Sequence, residues 1–331
     1  MRALIYQGVE TLTLEDTPDP RPAEDEVLVR IKASGICGSD MHAYLGHDER
    51  RPPPLILGHE AAGIIASGPK TGQRVAVNPL VACQRCPACA AGRTNLCADR
   101  QIISMMPRPG AFADFITMPM ANLIAVPDHV PLEKAALAEP LACGWHAVRL
   151  AFEASKIPPD QAKCLVLGGG AIGFGAALAL RARGVKDITL VEPNQARRTN
   201  LAAHCDFTLI DGASPDRAHT DSMDIVIDGV GYVQTRAAAC AYVKPGGVIA
   251  HIGLGANDGG LDIRRMTLHE IQFIGTYTYT MDDFRATTEA IFEGRLGALD
   301  WPEQRELAAG IEAFKHLKTG QVMAPKIILK L

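Results

Sequence analysis

Long unbroken runs are missing from this sequence, and each missing kind removes a class of protein. A membrane-crossing helix needs roughly 18 or more apolar residues. The one stretch that comes near this starts at Cys164, is rich in Gly and Ala, and is closed by Arg181 and Arg183. No run of Lys and Arg stands out, and the 331-residue chain carries a net charge of -4, so a nucleic-acid surface has no electrostatic footprint. The opening Met1-Arg2-Ala3-Leu4-Ile5-Tyr6 reads as a strand and not as a secretion signal, so the cytoplasm is the expected location. There is no internal repeat and no low-complexity tract. Neither a membrane nor a nucleic acid is an expected partner.

What is present is an ordinary globular balance, 47% hydrophobic and 21% charged, in a chain long enough for two domains. Residues 1–126 hold short runs of strand character, such as Leu12-Thr13-Leu14, Val27-Leu28-Val29-Arg30-Ile31, Arg74-Val75-Ala76-Val77, Phe112-Ala113-Asp114-Phe115-Ile116 and Leu123-Ile124-Ala125-Val126. Turns at Gly68-Pro69 and Gly72 break them up, which is the texture of a small β-barrel. Pro131 opens a short helix, and residues 141–154 read as another that stops before Pro158-Pro159. At Lys163 strands begin to alternate with helices, the pattern of a doubly wound parallel sheet. From about residue 296 that alternation ends, and Lys326-Ile327-Ile328-Leu329-Lys330 is a lone closing strand. A lone strand needs a sheet to join. The expected organisation is an α/β chain with residues 1–150 and 296–331 in one discontinuous domain and 151–295 in the other.

The parallel-sheet segment carries a glycine fingerprint in its required context. The buried strand Cys164-Leu165-Val166-Leu167 runs straight into Gly168-Gly169-Gly170-Ala171-Ile172-Gly173, then a helix, and Glu192 ends the next strand. Gly168 permits the tight turn, Gly170 lets the backbone approach a pyrophosphate, and Gly173 allows close packing of helix on strand. Glu192 can accept hydrogen bonds from ribose hydroxyls and would repel a 2′-phosphate, so NAD is favoured over NADP. Arg197 and Arg198 run against that choice if they reach a phosphate; the alternative is two solvated side chains on the following helix.

Nine cysteines remain to be placed. Cys83, Cys86, Cys89 and Cys97 cluster in one loop, and in a chain without a secretion signal four such thiolates favour a closed, structural zinc over disulfides. Cys164 and Cys240 lie in apolar runs and read as small buried side chains. Cys37 sits in Gly35-Ile36-Cys37-Gly38-Ser39-Asp40-Met41-His42, followed by Gly58-His59-Glu60 and, far downstream, Glu139-Pro140-Leu141. A thiol, an imidazole and two carboxylates can converge on one ion, and three protein ligands with an open position define a catalytic zinc. The other reading of His59 is a hydrogen-bonded core histidine.

In this order these motifs resemble the zinc-dependent medium-chain dehydrogenase/reductases, and within them the polyol, or sorbitol-like, branch. The resemblance covers essentially the whole chain. It implies a GroES-like barrel domain plus a Rossmann domain, one catalytic and one structural zinc, NAD, and a homodimer or homotetramer. It implies Cys37 and His59 as zinc ligands, with Glu60 a direct or exchanging ligand and Glu139 coordinating the metal or holding its water. It implies Asp40 as the acceptor behind His59, and a proton relay that starts at Ser39 and ends at His42. The implied reaction is oxidation of a secondary alcohol, such as a sugar alcohol, to a ketone with hydride transfer to NAD. A threonine 3-dehydrogenase or butanediol dehydrogenase is the alternative within the class, and a catalytically silent zinc- and NAD-binding regulator is the alternative outside it. The polar loop 44–54 is open to two readings, a lid over a polyhydroxylated or anionic substrate and a solvated surface loop. Residues 275–280 read as an edge strand used in dimerisation or as the start of a connecting element. Cys143 could line the cofactor cleft or pack in the core, and Trp145 and His146 read as packing residues.

Overall fold

The computed structural model describes residues 1–212 and 220–331. These form two compact units. One comprises Met1–Glu139, Thr280–Glu293 and Pro302–Leu331, the other Pro140–Tyr279 and Gly294–Trp301. The division differs from the expected one at residues 150 and 296. Helix Ala138–Ser155 is unbroken at Pro140, because a proline in the first turn removes no helical hydrogen bond. From there it packs on helix Ala171–Ala182 through glycine. A Cβ on Gly144 would come within 2.6 Å of Ala176 N, and one on Gly175 within 2.9 Å of Leu141 Cδ2, so residues 140–155 belong with the second unit. Helix Met281–Phe292 joins the first unit instead, with Met281 N donating to Thr94 Oγ1 at 3.3 Å and Asn78 Nδ2 donating to Met281 Sδ at 3.6 Å.

The first unit is built on a seven-stranded sheet centred on Glu26–Gly35, in which Val27, Val29, Ile31 and Ala33 alternate inward. That strand pairs antiparallel with Glu60–Ser67, Phe115–Pro119 and Ile327–Lys330. The closing strand therefore returns to the N-terminal sheet, with Ile328 opposite Gly35. The regular strand expected from Phe112 begins only at Phe115. Phe112 is spent on irregular pairing, its N–H to Leu57 O at 3.0 Å and its C=O to Leu4 N at 2.8 Å. Behind the sheet, the rings of Tyr44 and Phe112 pack on Phe314 at 5.2 and 6.0 Å between centroids.

The second unit holds six parallel strands in the order Thr208–Ile210, Asp187–Val191, Lys163–Leu167, Met223–Asp228, Val243–His251, Gln272–Gly275. Cys164, Leu165, Val166 and Leu167 are all buried, as a strand covered on both faces requires. The order reverses beside Lys163–Leu167, and ligands of such sheets bind in the crevice at the carboxyl ends of the strands there. Among the described residues no helix is long and apolar enough to cross a membrane.

Candidate active site

Cys37 precedes the short helix Gly38–Tyr44 in extended conformation, and the fully buried Asp40 folds back beneath it. Asp40 Oδ2 accepts from Cys37 N at 2.9 Å, and Oδ1 accepts from Gly58 N at 3.2 Å. The same Oδ1 lies 3.4 Å from His59 Nδ1. One carboxylate thus ties together the two loops that carry the thiol and the imidazole. Burial alone would raise the Asp40 carboxyl, but His59, Arg51 and the Cys37 amide hold it below the usual carboxylate range. For His59, burial acts to lower its pKa, yet Asp40 and the Cys37 thiol raise it well above the ordinary value.

Cys37, His59 and Glu60 each offer a ligand atom, and these atoms lie within 4.8 Å of one another. Glu60 is fully buried, and its Oε2 has no hydrogen-bond partner. Its Oε1 accepts from the buried Lys326 Nζ at 2.5 Å. A soft thiolate, an imidazole and a carboxylate with an unused buried oxygen form a donor set suited to zinc. Glu139, in the first turn of helix Ala138–Ser155, is buried but is not one of the three clustered groups. Its charge still reaches the same place. Burial would lower Lys326, but Glu60, Cys37 and Glu139 raise it above the ordinary lysine value. Ser39 is half-buried and His42 exposed, one turn apart on helix Gly38–Tyr44. Among the described residues neither side chain makes a hydrogen bond; the His42 ring meets His47 edge-on at 6.4 Å.

The second cluster is Cys83, Cys86, Cys89 and Cys97, whose sulfurs also lie within 4.8 Å of one another. Cys86 and Cys89 approach to 3.5 Å, and Cys83 N donates to Cys97 Sγ at 3.4 Å. The backbone N–H of Cys89 pulls Cys86 down to about 6, while burial and the neighbouring thiols push Cys89 up to about 12. Four crowded sulfurs cannot all be thiolates without a cation among them, and tetrahedral zinc satisfies that demand.

In the second unit, Gly168 turns at φ +97°, a conformation that a side chain resists. A Cβ on Gly173 would overlap the Gly168 carbonyl oxygen. Gly170 precedes helix Ala171–Ala182 and has open space where a Cβ would point. Gly170 thus stands uncrowded at a helix N-terminus, whose first N–H groups have no partner within the helix. Glu192 is buried and bonded on both oxygens, accepting from Asn194 N at 2.8 Å and Gly169 N at 3.0 Å. Neither arginine after it is simply solvated. Arg197 Nη1 lies 3.6 Å from Glu192 Oε2, and Arg198 Nη1 donates to the carbonyls of Glu192 and Pro193 at 2.6 and 2.8 Å.

Two family models match the chain, an alcohol dehydrogenase GroES-like domain over residues 23–128 and a zinc-binding dehydrogenase domain over residues 171–293. The L-galactonate-5-dehydrogenase of Escherichia coli (strain K12) is 33% identical across 90% of this chain and 89% of its own length. The chain belongs to the zinc-dependent medium-chain dehydrogenase/reductases. Sorbitol dehydrogenase of Bacillus subtilis (strain 168) is 32% identical over 97% of this dehydrogenase and 90% of its own length. The structure of an acetophenone reductase from Geotrichum candidum in complex with NAD superposes with a TM-score of 0.87 at 26% identity, covering 100% of this chain and 97% of that one. The dehydrogenase is an oxidoreductase of the polyol branch, with a GroES-like domain and a Rossmann domain.

Several other residues of this dehydrogenase take places that the sequence left open or did not show. Arg51, in the polar loop 44–54, is buried, with Nη1 on Asp48 at 2.5 Å and Nε on Ser104 O at 3.0 Å. Arg51 therefore anchors a loop most of whose other residues are exposed. Strand Gln272–Gly275 ends before residues 276–280, and Thr280 caps helix Met281–Phe292 by accepting from Asp283 N at 3.1 Å, so that stretch is a connection and a cap. Cys143 is half-buried, Trp145 lies under the Arg295 guanidinium at 5.8 Å, and His146 Nδ1 is 3.2 Å from Arg149 Nη2. Lys326 beside Glu60 carried no signal in the sequence, where it is only the first residue of the closing strand.

Proposed function

We propose that this dehydrogenase oxidises a secondary alcohol of a polyhydroxylated substrate to the ketone, reversibly, with NAD as hydride acceptor. The observation that carries this reading is the convergence of the half-buried Cys37 with the buried His59 and Glu60, one of whose carboxylate oxygens is unused, in a chain that also has a glycine turn at Gly168–Gly173 braced by Glu192 through Gly169 N.

Cys37, His59 and Glu60 would hold the catalytic zinc, with Glu139 close by, and Cys83, Cys86, Cys89 and Cys97 the structural one. When bound, the catalytic ion supplies Lewis acidity at the substrate hydroxyl, and NAD supplies the hydride acceptor. The chain's own groups do the rest. Asp40 keeps the His59 ring and the Cys37 backbone in place from behind. Ser39 would take up the proton of the hydroxyl while releasing its own, and His42, exposed one turn on, would pass a proton to water. Gly168, Gly170, Ala171, Ile172 and Gly173 hold the cofactor's pyrophosphate against the helix N-terminus. Glu192 takes the ribose hydroxyls and disfavours a 2′-phosphate, with Arg197 fixing its carboxylate.

A sugar-acid substrate is the second reading, supported by the likeness to an L-galactonate dehydrogenase. A panel of sugar alcohols, aldonates, threonine and butanediols, each with NAD and with NADP, separates these by the rise of the reduced-nicotinamide absorbance. Stoichiometric binding of zinc and NAD without turnover on any of them would instead point to a silent binding protein. The further expectation is a homodimer or homotetramer working in the cytoplasm, for which light scattering and cell fractionation are the direct measurements.

A further inference from the structure

The pair Lys326–Glu60 plays no part in the steps derived so far, yet both side chains are buried, 4% and 0% exposed. Lys326 Nζ donates to Glu60 Oε1 at 2.5 Å and to Ile36 O at 2.9 Å. Three strands build this arrangement. Gly35, at the end of Glu26–Gly35, stands opposite Glu60 on one side and Ile328 on the other. A Cβ on Gly35 would overlap Glu60 Oε2. The carboxylate therefore lies over the bare backbone of a glycine, with one oxygen held by the ammonium and the other buried without a hydrogen bond. That same carboxylate belongs to the cluster with Cys37 and His59.

An ion pair kept away from water is seldom the cheapest way to fill space, because well-packed apolar side chains of similar volume often do as well or better. Its use here must lie in what it does to Glu60. We propose that Lys326 is a positioning residue that shares Glu60 with the catalytic metal, holding one carboxylate oxygen so that Glu60 is a weakened ligand able to bind and let go. The inference rests on the reading that Cys37, His59 and Glu60 hold zinc. The charges point the same way. The ammonium on Glu60 is a positive charge beside the place a divalent cation would take, and it opposes metal binding there. Without Lys326 both oxygens of Glu60 are free for the metal.

The test compares wild type, K326M, K326R, E60Q and E60Q/K326M. Two quantities are read: the zinc dissociation constant at the Cys37 site by chelator competition, and the visible spectrum of the cobalt(II)-substituted protein, taken as a difference against C37S. K326M should bind the ion about tenfold tighter or more with an altered cobalt spectrum, K326R should restore both, and K326M should change neither in the E60Q background. K326M within twofold of wild type with an unaltered spectrum overturns the proposal, and so does an equal shift with and without Glu60. If K326M does not fold, K326Q, which keeps a hydrogen-bond donor, carries the same comparison. A wild-type protein whose metal content is indifferent to C37S overturns the zinc reading itself, an outcome distinct from either of these.

Discussion

At the scale of single residues, the two metal clusters make opposite and complementary predictions. Cys37→Ser removes the one thiol of the Cys37–His59–Glu60 cluster, proposed to hold the catalytic zinc, and leaves the four-cysteine lobe untouched. It should drop the zinc content from two to one per chain and cut turnover by at least about 10^3-fold, with NAD binding retained, as metal analysis and fluorescence titration would read. Glu192→Ala removes an acceptor that also braces Gly169. It should weaken NAD by roughly 1.5–3 kcal/mol and narrow the preference over NADP; an unchanged NAD affinity would remove Glu192 from the site. The sequence reads well at residues whose role is local. Cys37 and His59 stand out by spacing, and Glu192 by its place at the end of a strand. Lys326 and Arg51 do not, because a buried cation is defined by its partner, and Lys326 meets Glu60 across 266 residues of chain. The two glutamates could not be ranked for the same reason. Which carboxylate meets the thiol depends on the register of Glu60 opposite Gly35, and spacing does not encode that register.

At the scale of elements, glycine marks the places where backbones must close up. Gly173→Ala would drive a Cβ into the Gly168 carbonyl and spread the strand–turn–helix unit. About 1–3 kcal/mol of stability should be lost, and NAD affinity with it, as thermal melts with and without cofactor would show. In the lobe the ion takes the place of a core, since Cys97 is its one buried cysteine and helix Pro87–Ala90 buries no residue. Cys97→Ser should therefore release one zinc and open residues 83–97 to protease while the Cys37 cluster keeps its ion; a lobe that stays resistant without metal would show that its backbone suffices. Most of these elements are readable from pattern alone, the alternation of Glu26–Gly35 and the apolar run before Gly168 above all. The boundary at Pro140 is not, because it falls inside the continuous helix Ala138–Ser155 and no loop marks it.

At the scale of the whole molecule, acid stability follows from carboxylates held in their charged form. Burial works against each, yet Glu26, Asp40, Asp48 and Asp228 all end below their ordinary values, Asp48 at about 2 through Arg50 and Arg51. Groups lowered in the folded state bind fewer protons there than in the unfolded chain, so the stability they contribute is complete above about pH 5 and drains away as pH falls toward 2. The melting temperature should fall steeply across that window, and Asp48→Asn should flatten the slope while lowering stability at neutral pH. A slope unaltered in the variant would free Asp48 from this role.

The return of Ile327–Lys330 to the edge of Glu26–Gly35 also has a meaning in time. A ribosome adding about 5–20 residues per second needs roughly 13–50 s to travel from Glu60 to Lys326, 266 residues later. Throughout that interval the chain holds the thiol, the imidazole and the carboxylate without the ammonium that pairs with the carboxylate in the folded protein. If Cys37, His59 and Glu60 hold zinc, all three groups exist before Lys326 is made, and the partner of Glu60 comes only with the last strand.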